Sequence, residues 1–503
     1  MAERSRQVVL FSSGGKKAAR PARRELFDYE AEEARTRRAA PSRGRAASDS
    51  TSYTSSQSSY RASSYTPARP GPGAVGGGAA RYREEEGPYG SRRKGSGAAR
   101  PHAAARRRKA RRRRRRFRRL VAFLCVLAGL YVLCVYSSIP FIRKWRTIYI
   151  ETAMETMNHK WLATAFIPKG IIDEVMASRD AFLQAQAGLE SDWSEGEFIQ
   201  DFAPGSQEEF LRLYHEIDPE SFRDYVKKNP LVTAGGYDAL LIDRSGLDQD
   251  GTSIKTVQGD TILTIDAKNR LLIVRVEGED FVGRLAIVKD PSLVKVGTAA
   301  TLGKAGQSVA QIAERSKAVL AVNASGFADY QGMGNGGTVV GLLISGGELL
   351  SPCVGGDYKV IGFSEDHRLY IGKSLEEVAF RDAVEFYPAL IVNGQNVVSD
   401  SDAPEGSVGF GIQPRTAIGQ TEDGAVLLLT VDGRKPGYSL GCTMTDLAST
   451  MERYGAVQAA NLDGGSSTVM VYRGKEISRP AAGTSYGRVV PNAIVVTYAD
   501  KAK

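Results

Sequence analysis

The stretch TILTIDAKNRLLIVRVEGEDFVGRLAIVK, residues 261–289, decides the fold. Three short apolar runs, TILTI (261–265), LLIVRV (271–276) and RLAIVK (284–289), are parted by Asp, Asn and Gly. Runs this short, rich in Ile, Val and Leu and bounded by turn formers, predict strands. The same texture returns at AVLAV (318–322), VLLLTV (426–431) and NAIVVTY (492–498). Helical patterns interrupt near 307–316, at Ser374 with Glu377 three residues on, and from Thr443 to Tyr454, closed by Gly455. Strands outnumber helices without strict alternation, so the expectation for 231–503 is α+β, a mixed, sheet-rich catalytic domain with several helices.

Upstream of 231 the pattern is helical. Ile171, Ile172, Val175 and Met176 repeat at helical spacing, Ser206 and Glu209 form a capping-box pattern, and Lys227-Lys228-Asn229-Pro230 reads as a helix stop. Residues 143–230 are expected as a helical juxtamembrane stalk, with homo-oligomer pairing through it left open. Residues 120–142, LVAFLCVLAGLYVLCVYSSIPFI, carry no charge and are long enough to cross a hydrocarbon core of about 30 Å. The block RRRKARRRRRRFRR (106–119) precedes them, which predicts a cytoplasmic N-terminus, an extracytoplasmic catalytic domain and contact with anionic membrane lipids. Residues 1–119 are expected as a disordered basic tail, since they offer few aliphatic side chains to bury.

Charge is divided along the chain. Residues 1–119 hold 32 basic and 10 acidic side chains, whereas 120–503 hold 35 basic and 47 acidic. The folded part is acidic, which argues against a nucleic-acid partner. His367 is the only histidine after residue 230, and it reads as a turn entering a strand. That excludes a His-rich metal site, leaves a Ser-His-Asp triad only that one base, and lowers a metal-dependent phosphodiesterase that cuts P–O. No cofactor is required by the residues, the metal assignment stays unknown, and an all-oxygen Ca²⁺ or Mg²⁺ site stays open. Cys353 and Cys442 lie where oxidation is possible, and a disulfide between them is one reading.

Polar clusters follow the apolar runs: Asn323-Ala324-Ser325-Gly326-Phe327, Pro414-Arg415-Thr416, Asp432-Gly433-Arg434 and Asn461-Leu462-Asp463-Gly464-Gly465-Ser466-Ser467. Strand ends followed by glycine-rich turns set side chains at one sheet rim and leave backbone N–H groups free for a ligand. Two carboxylates, two guanidiniums and two carboxamides suit an anionic, hydroxylated substrate. For any single cluster, a plain turn is as good a reading as a site.

With YPALIVNG (387–394), TMTDLASTMERYGA (443–456) and RVVPNAIVV (488–496), these clusters resemble the phosphodiester glycosidase family, in its order, over roughly 280–498. The chain departs from the family in Asn323-Ala324-Ser325-Gly326-Phe327, where NGGF is common, and in having two glycines after Asp463 where three are common. The resemblance implies hydrolysis of a sugar-1-phosphodiester, as in a phosphoglycan or exopolysaccharide, with release of the sugar. Asp463, Asp432 and Arg415 are then the expected catalytic set. Asn323, Arg434, Asn461, Gly464, Gly465, Ser466 and Ser467 are the expected substrate binders. Asp463 is favoured for the reacting role, with the reverse assignment to Asp432 open. A catalytically silent glycan-binding module is the competing class.

Overall fold

The computed structural model describes residues 101–156, 159–193, 198–199, 201–329, 333–373, 378–398 and 410–499. The tail up to residue 100 and the helix expected at Ser374 lie outside the described residues.

Residues Pro101–Tyr136 form one helix, α1. Arg, Lys, Ala and Leu are strong helix formers, so the basic block and the apolar run wind on together and residues 101–119 of the expected tail are helical. The helix stops at Tyr136, short of the expected 142, because Pro140 sits in the first turn of the next helix, α2 (Pro140–Glu155). Arg108–Tyr136 is long and apolar enough to span a bilayer. Its charge-free part, 120–136, is about 25 Å long at 1.5 Å per residue.

Short helices follow: α3 (Trp161–Thr164), α4 (Lys169–Ala185), α5 (Gln207–Leu213) and α6 (Pro219–Lys228). The Ser206 side chain caps α5 by accepting from the Glu209 amide, and α6 ends at Asn229, as the sequence signals. These helices are not a free-standing stalk. Phe182, Phe210, Tyr214 and Phe222 are buried in one core with Leu285, Leu427 and Met451 of the sheet domain. Short amphipathic helices bury too little against each other to stand alone, so their apolar faces close on the sheet.

The described strands form three antiparallel sheets. The largest runs in the order β1 (Leu241–Asp243), β2 (Thr261–Asp266), β3 (Leu271–Glu277), β4 (Val282–Val288), β15 (Val426–Val431), β14 (Arg415–Thr421), β16 (Ala456–Leu462), β12 (Ala389–Val392), β13 (Gln395–Asn396). A second holds β10 (Leu369–Gly372), β9 (Lys359–Ser364), β11 (Phe380–Phe386), β7 (Leu343–Ser345) and β8 (Glu348–Ser351). The third is β18 (Lys475–Glu476), β17 (Met470–Tyr472), β6 (Ala318–Asn323), β19 (Asn492–Thr497) and β5 (Val294–Thr298). Every apolar run read from the sequence is a strand, and the class is α+β.

The central sheet is covered on both faces, which explains why its middle strands read as continuous apolar runs rather than alternating ones. Leu272, Val274, Leu285, Leu427 and Leu429 face the helices, including α8 (Met444–Arg453). Leu271, Ile273, Ala286, Leu428 and Leu462 face the other two sheets. Thr443 and Asp446 complete a capping box on α8, and Gly455, at φ +78°, follows it as expected. A further helix, α7 (Val309–Arg315), covers the third sheet.

Cys353 and Cys442 are both free thiols, so the disulfide reading is corrected. Cys442 is buried with Arg415 and Met444 on the helix side, while Cys353 sits on an exposed loop. A reducing agent is therefore expected to leave the melting temperature of the purified chain unchanged, as read by circular dichroism.

Candidate active site

The site is built around the turn that leaves β16. Asn461 falls on the helix side of the central sheet by strand alternation, since Ala459 packs there, and Asp463 follows in the turn. The Asn461 amide nitrogen Nδ2 donates to Tyr387 O at 2.8 Å, and its Oδ1 is buried without a partner. Asp463 is anchored by its backbone, which donates to Ala324 O at 2.9 Å and accepts from Asn323 Nδ2 at 2.6 Å. Asp463 itself is half-buried. Gly464 and Gly465 make this turn possible. A Cβ at Gly464 would meet Pro414 O at 2.8 Å, and Gly465 has φ +61°.

Burial pushes the Asp463 carboxyl up to about 7, although hydrogen bonds from Ser467 and the Gly464 amide, with the charge of Arg488, pull it down; the Asp329 charge adds to the rise. Asp329 is the opposite case. Burial would raise its carboxyl, but Arg488 and the Gly334 amide, at 2.6 Å, hold it below the ordinary range. Arg488 pairs with Asp329 and lies over the Phe327 ring at 4.7 Å. Two neighbouring carboxyls with pKa values pushed apart are what acid–base chemistry near neutrality requires.

Two more groups line this rim. Arg434, in left-handed backbone at φ +58°, is exposed and braced. It donates from Nη1 to Ser466 Oγ at 3.0 Å and from Nη2 to Gln413 Oε1 at 2.6 Å. Tyr358, Phe386 and Tyr387 form an aromatic wall, with centroids 4.8 Å apart for Tyr358 and Tyr387 and 5.3 Å for Phe386 and Tyr387. Both tyrosines feel the Asp463 charge. Arg179 of α4, paired with Glu155 of α2, packs over Phe410 beside this wall.

Of the remaining expected residues, Asn323 and Ser467 bond Asp463, while Asp432 and Arg415 bond elsewhere. Asp432 is 1% exposed, and both its oxygens are taken. Oδ2 accepts from Arg284 Nη1 at 2.6 Å and Tyr438 OH at 2.8 Å; Oδ1 accepts from the Arg479 amide at 2.8 Å. Val431 faces the helices, so Asp432 turns to the other face of the sheet. Its carboxylate is held in a buried ion pair with Arg284. Asp432→Ala is expected to cost about 3–5 kcal/mol by stranding buried Arg284, measured by urea unfolding of the full chain in detergent.

Arg415 is also buried. Its Nη2 donates to Phe410 O at 2.7 Å and Gly411 O at 2.9 Å, so it positions that loop. Asn323 is fully committed as a clamp: besides Asp463 O, its Oδ1 accepts from Thr416 Oγ1 at 2.9 Å and the Val469 amide at 3.1 Å. Ser467 is buried in the turn and its side chain bonds Asp463. His367 lies in the turn before β10, with Arg381 against its ring, as the sequence suggests.

Asp329, Arg488, Tyr358 and Gln413 were not foreseen. Arg488 and Tyr387 lie inside stretches the family resemblance rests on, and Asp329 lies two residues beyond Phe327. Among the described residues, no group of three or more His, Cys, Asp or Glu side chains is arranged to hold a metal ion.

Residues 316–497 match the family model described as phosphodiester glycosidase. The resemblance read in the sequence thus has an independent match, to a family of hydrolases. Among curated relatives, N-acetylglucosamine-1-phosphodiester alpha-N-acetylglucosaminidase of Bos taurus is 30% identical over 161 residues, covering 29% of this chain and 30% of that protein. The SPbeta prophage-derived uncharacterized protein YomE of Bacillus subtilis (strain 168) is 28% identical over 218 residues, covering 39% of this chain and 30% of that protein. The chain therefore spans about 30% of the length of these relatives. Among solved structures, the zebrafish N-acetylglucosamine-1-phosphodiester alpha-N-acetylglucosaminidase catalytic domain matches at a TM-score of 0.38 and 21% identity, over 45% of this chain and 82% of that one.

Proposed function

We propose that this chain is a membrane-anchored phosphodiester glycosidase that hydrolyses a sugar-1-phosphodiester of a cell-surface glycan or exopolysaccharide. The observation that carries the reading is Asp463: a carboxyl raised to about 7, on a glycine turn, among Arg434, Arg488 and an aromatic wall. The bovine relative's name gives N-acetylglucosamine-1-phosphodiester as what it acts on, and the same linkage suits this site.

The leaving group is a phosphate monoester with a second pKa of about 6, so it departs with far less proton help than a sugar alkoxide. Arg434, braced by Ser466 and Gln413, stabilises its charge. Asp463 takes the proton from the attacking water, and the Tyr358–Tyr387 wall stacks the sugar ring. Arg488 and Asp329 set the field at Asp463. The basic block before the span sets the N-terminus in the cytoplasm and the domain outside.

The test is to incubate the purified full chain with a panel of sugar-1-phosphodiesters and identify the products. Free sugar with a phosphate monoester supports the reading. Sugar-1-phosphate with a free alcohol means that the bond on the far side of phosphorus is cut, which contradicts it. Tight glycan binding without any product favours the silent binder.

A further inference from the structure

The helices between the span and the domain carry an aromatic face that the protein leaves bare. Phe141, Trp145 and Tyr149 recur at every fourth residue of α2, so they form one stripe, and they are 71%, 46% and 44% exposed. Away from this stripe, Ile150 and Ala153 of α2 are buried. Tyr149 OH donates to Leu162 O at 2.8 Å, which fixes α3 beside this stripe and adds Trp161 and Phe166, 55% and 56% exposed.

The face is continuous with the candidate membrane span. Tyr131 OH of α1 donates to Phe166 O at 2.8 Å, and Arg146 Nη1 donates to Val135 O at 2.6 Å. Tyr131 lies five residues before the end of α1, so Phe166 is held about 7 Å back along the apolar helix, at 1.5 Å per residue. The charge pattern agrees. Arg143, Lys144, Lys160 and Lys169 of the same segment are exposed, while the two acidic residues of 137–170 are withdrawn, Glu151 by burial and Glu155 by its pairing with Arg179. Aromatic rings with a fringe of Lys and Arg are suited to the headgroup level of a bilayer.

We infer that this face is a membrane-docking surface: Phe141, Trp145, Tyr149, Trp161 and Phe166 bed in the outer interface of the bilayer, so that the domain lies on the lipid instead of standing off it. The inference rests on the membrane-anchor reading above. It also places the site. Thr152 accepts from the Ile412 amide at 3.0 Å and from Gln413 Nε2 at 3.2 Å, and Gln413 braces Arg434. Thr152 is about 10 Å along α2 from Trp145, so the arginine edge of the site sits close above the headgroups.

The chain's three tryptophans make the test direct, because Trp145 and Trp161 are on the face while Trp193, half-buried, is tied to the sheet domain through Leu369 O at 2.9 Å and packs on the Phe198 ring. The full chain is reconstituted in phosphatidylcholine–phosphatidylglycerol vesicles whose phosphatidylcholine is brominated near the headgroup end of its chains. Docking predicts that more than half of the wild-type tryptophan emission is quenched, that Trp145→Phe and Trp161→Phe each remove part of the quenchable emission, and that the double variant retains almost none. Equal quenching of wild type and double variant, in a chain that resists alkaline carbonate extraction, overturns the docking inference alone. Quenching lost in wild type with cross-linking between copies through this face means that a second chain covers it, and overturns it too. Release of the chain by carbonate removes the anchor reading itself and the inference with it.

Discussion

A chain beginning at residue 231 is expected to collect in the insoluble fraction, while one beginning at residue 140 melts cooperatively. The cut removes Phe182, Phe210, Tyr214 and Phe222, each 5% exposed or less, from the core they share with β3, β4 and β15. At about 1.5–3 kcal/mol per large apolar side chain, the loss is about 6–12 kcal/mol, against a whole-domain stability of roughly 5–15 kcal/mol. The cut also removes Glu216, whose carboxylate takes the buried Lys289 ammonium at 2.9 Å. Among the described residues, Asp423, at 3.4 Å, would remain as the anionic partner of a cation with no exposed surface. Solubility and a cooperative melt of 231–503 matching that of 140–503 would show that the helices are an accessory.

Asp463→Asn is expected to lower turnover by about 10²–10⁴-fold and, in the same protein, to raise stability at alkaline pH. The sign follows from the raised carboxyl. Its folded pKa of about 7 lies above the ordinary 3.8, so the protonated form is favoured by folding and the stability it lends is lost as pH rises through about 7. An amide cannot ionise, so it escapes that loss. Melting temperatures of variant and wild type should coincide near pH 4, separate as the pH rises to about 7 and keep that separation above it, with the variant higher. Asp432→Asn should follow the same direction, because burial raises that carboxyl too, against the pull of Arg284, the Arg479 amide and Tyr438. An Asp463→Asn enzyme with wild-type turnover would remove Asp463 from the chemistry.

The strands were legible because the central sheet is buried on both faces, which leaves short uninterrupted apolar runs such as VLLLTV between Gly and Asp. Asp463 was legible because two glycines beside it mark a close backbone approach. Asp432 was equally conspicuous as sequence, yet it is buried in the Arg284 pair. Nothing local distinguishes the two, since the partner lies 148 residues away. The helices of 143–230 misled for a similar reason. Their apolar spacing is plain, but the surface that receives Phe210 and Phe222 belongs to strands far along the chain. Asp329 and Arg488 are 159 residues apart and meet only through β6 and β19, paired in the third sheet.

The most direct measurement of the central claim is hydrolysis of a sugar-1-phosphodiester in ¹⁸O-labelled water, with the label located by mass spectrometry. A glycosidase acting through Asp463 breaks the bond between the anomeric carbon and oxygen, so the label is expected in the released sugar, at a rate that collapses in Asp463→Asn. Label in the phosphate monoester would mean attack at phosphorus, and would contradict the account.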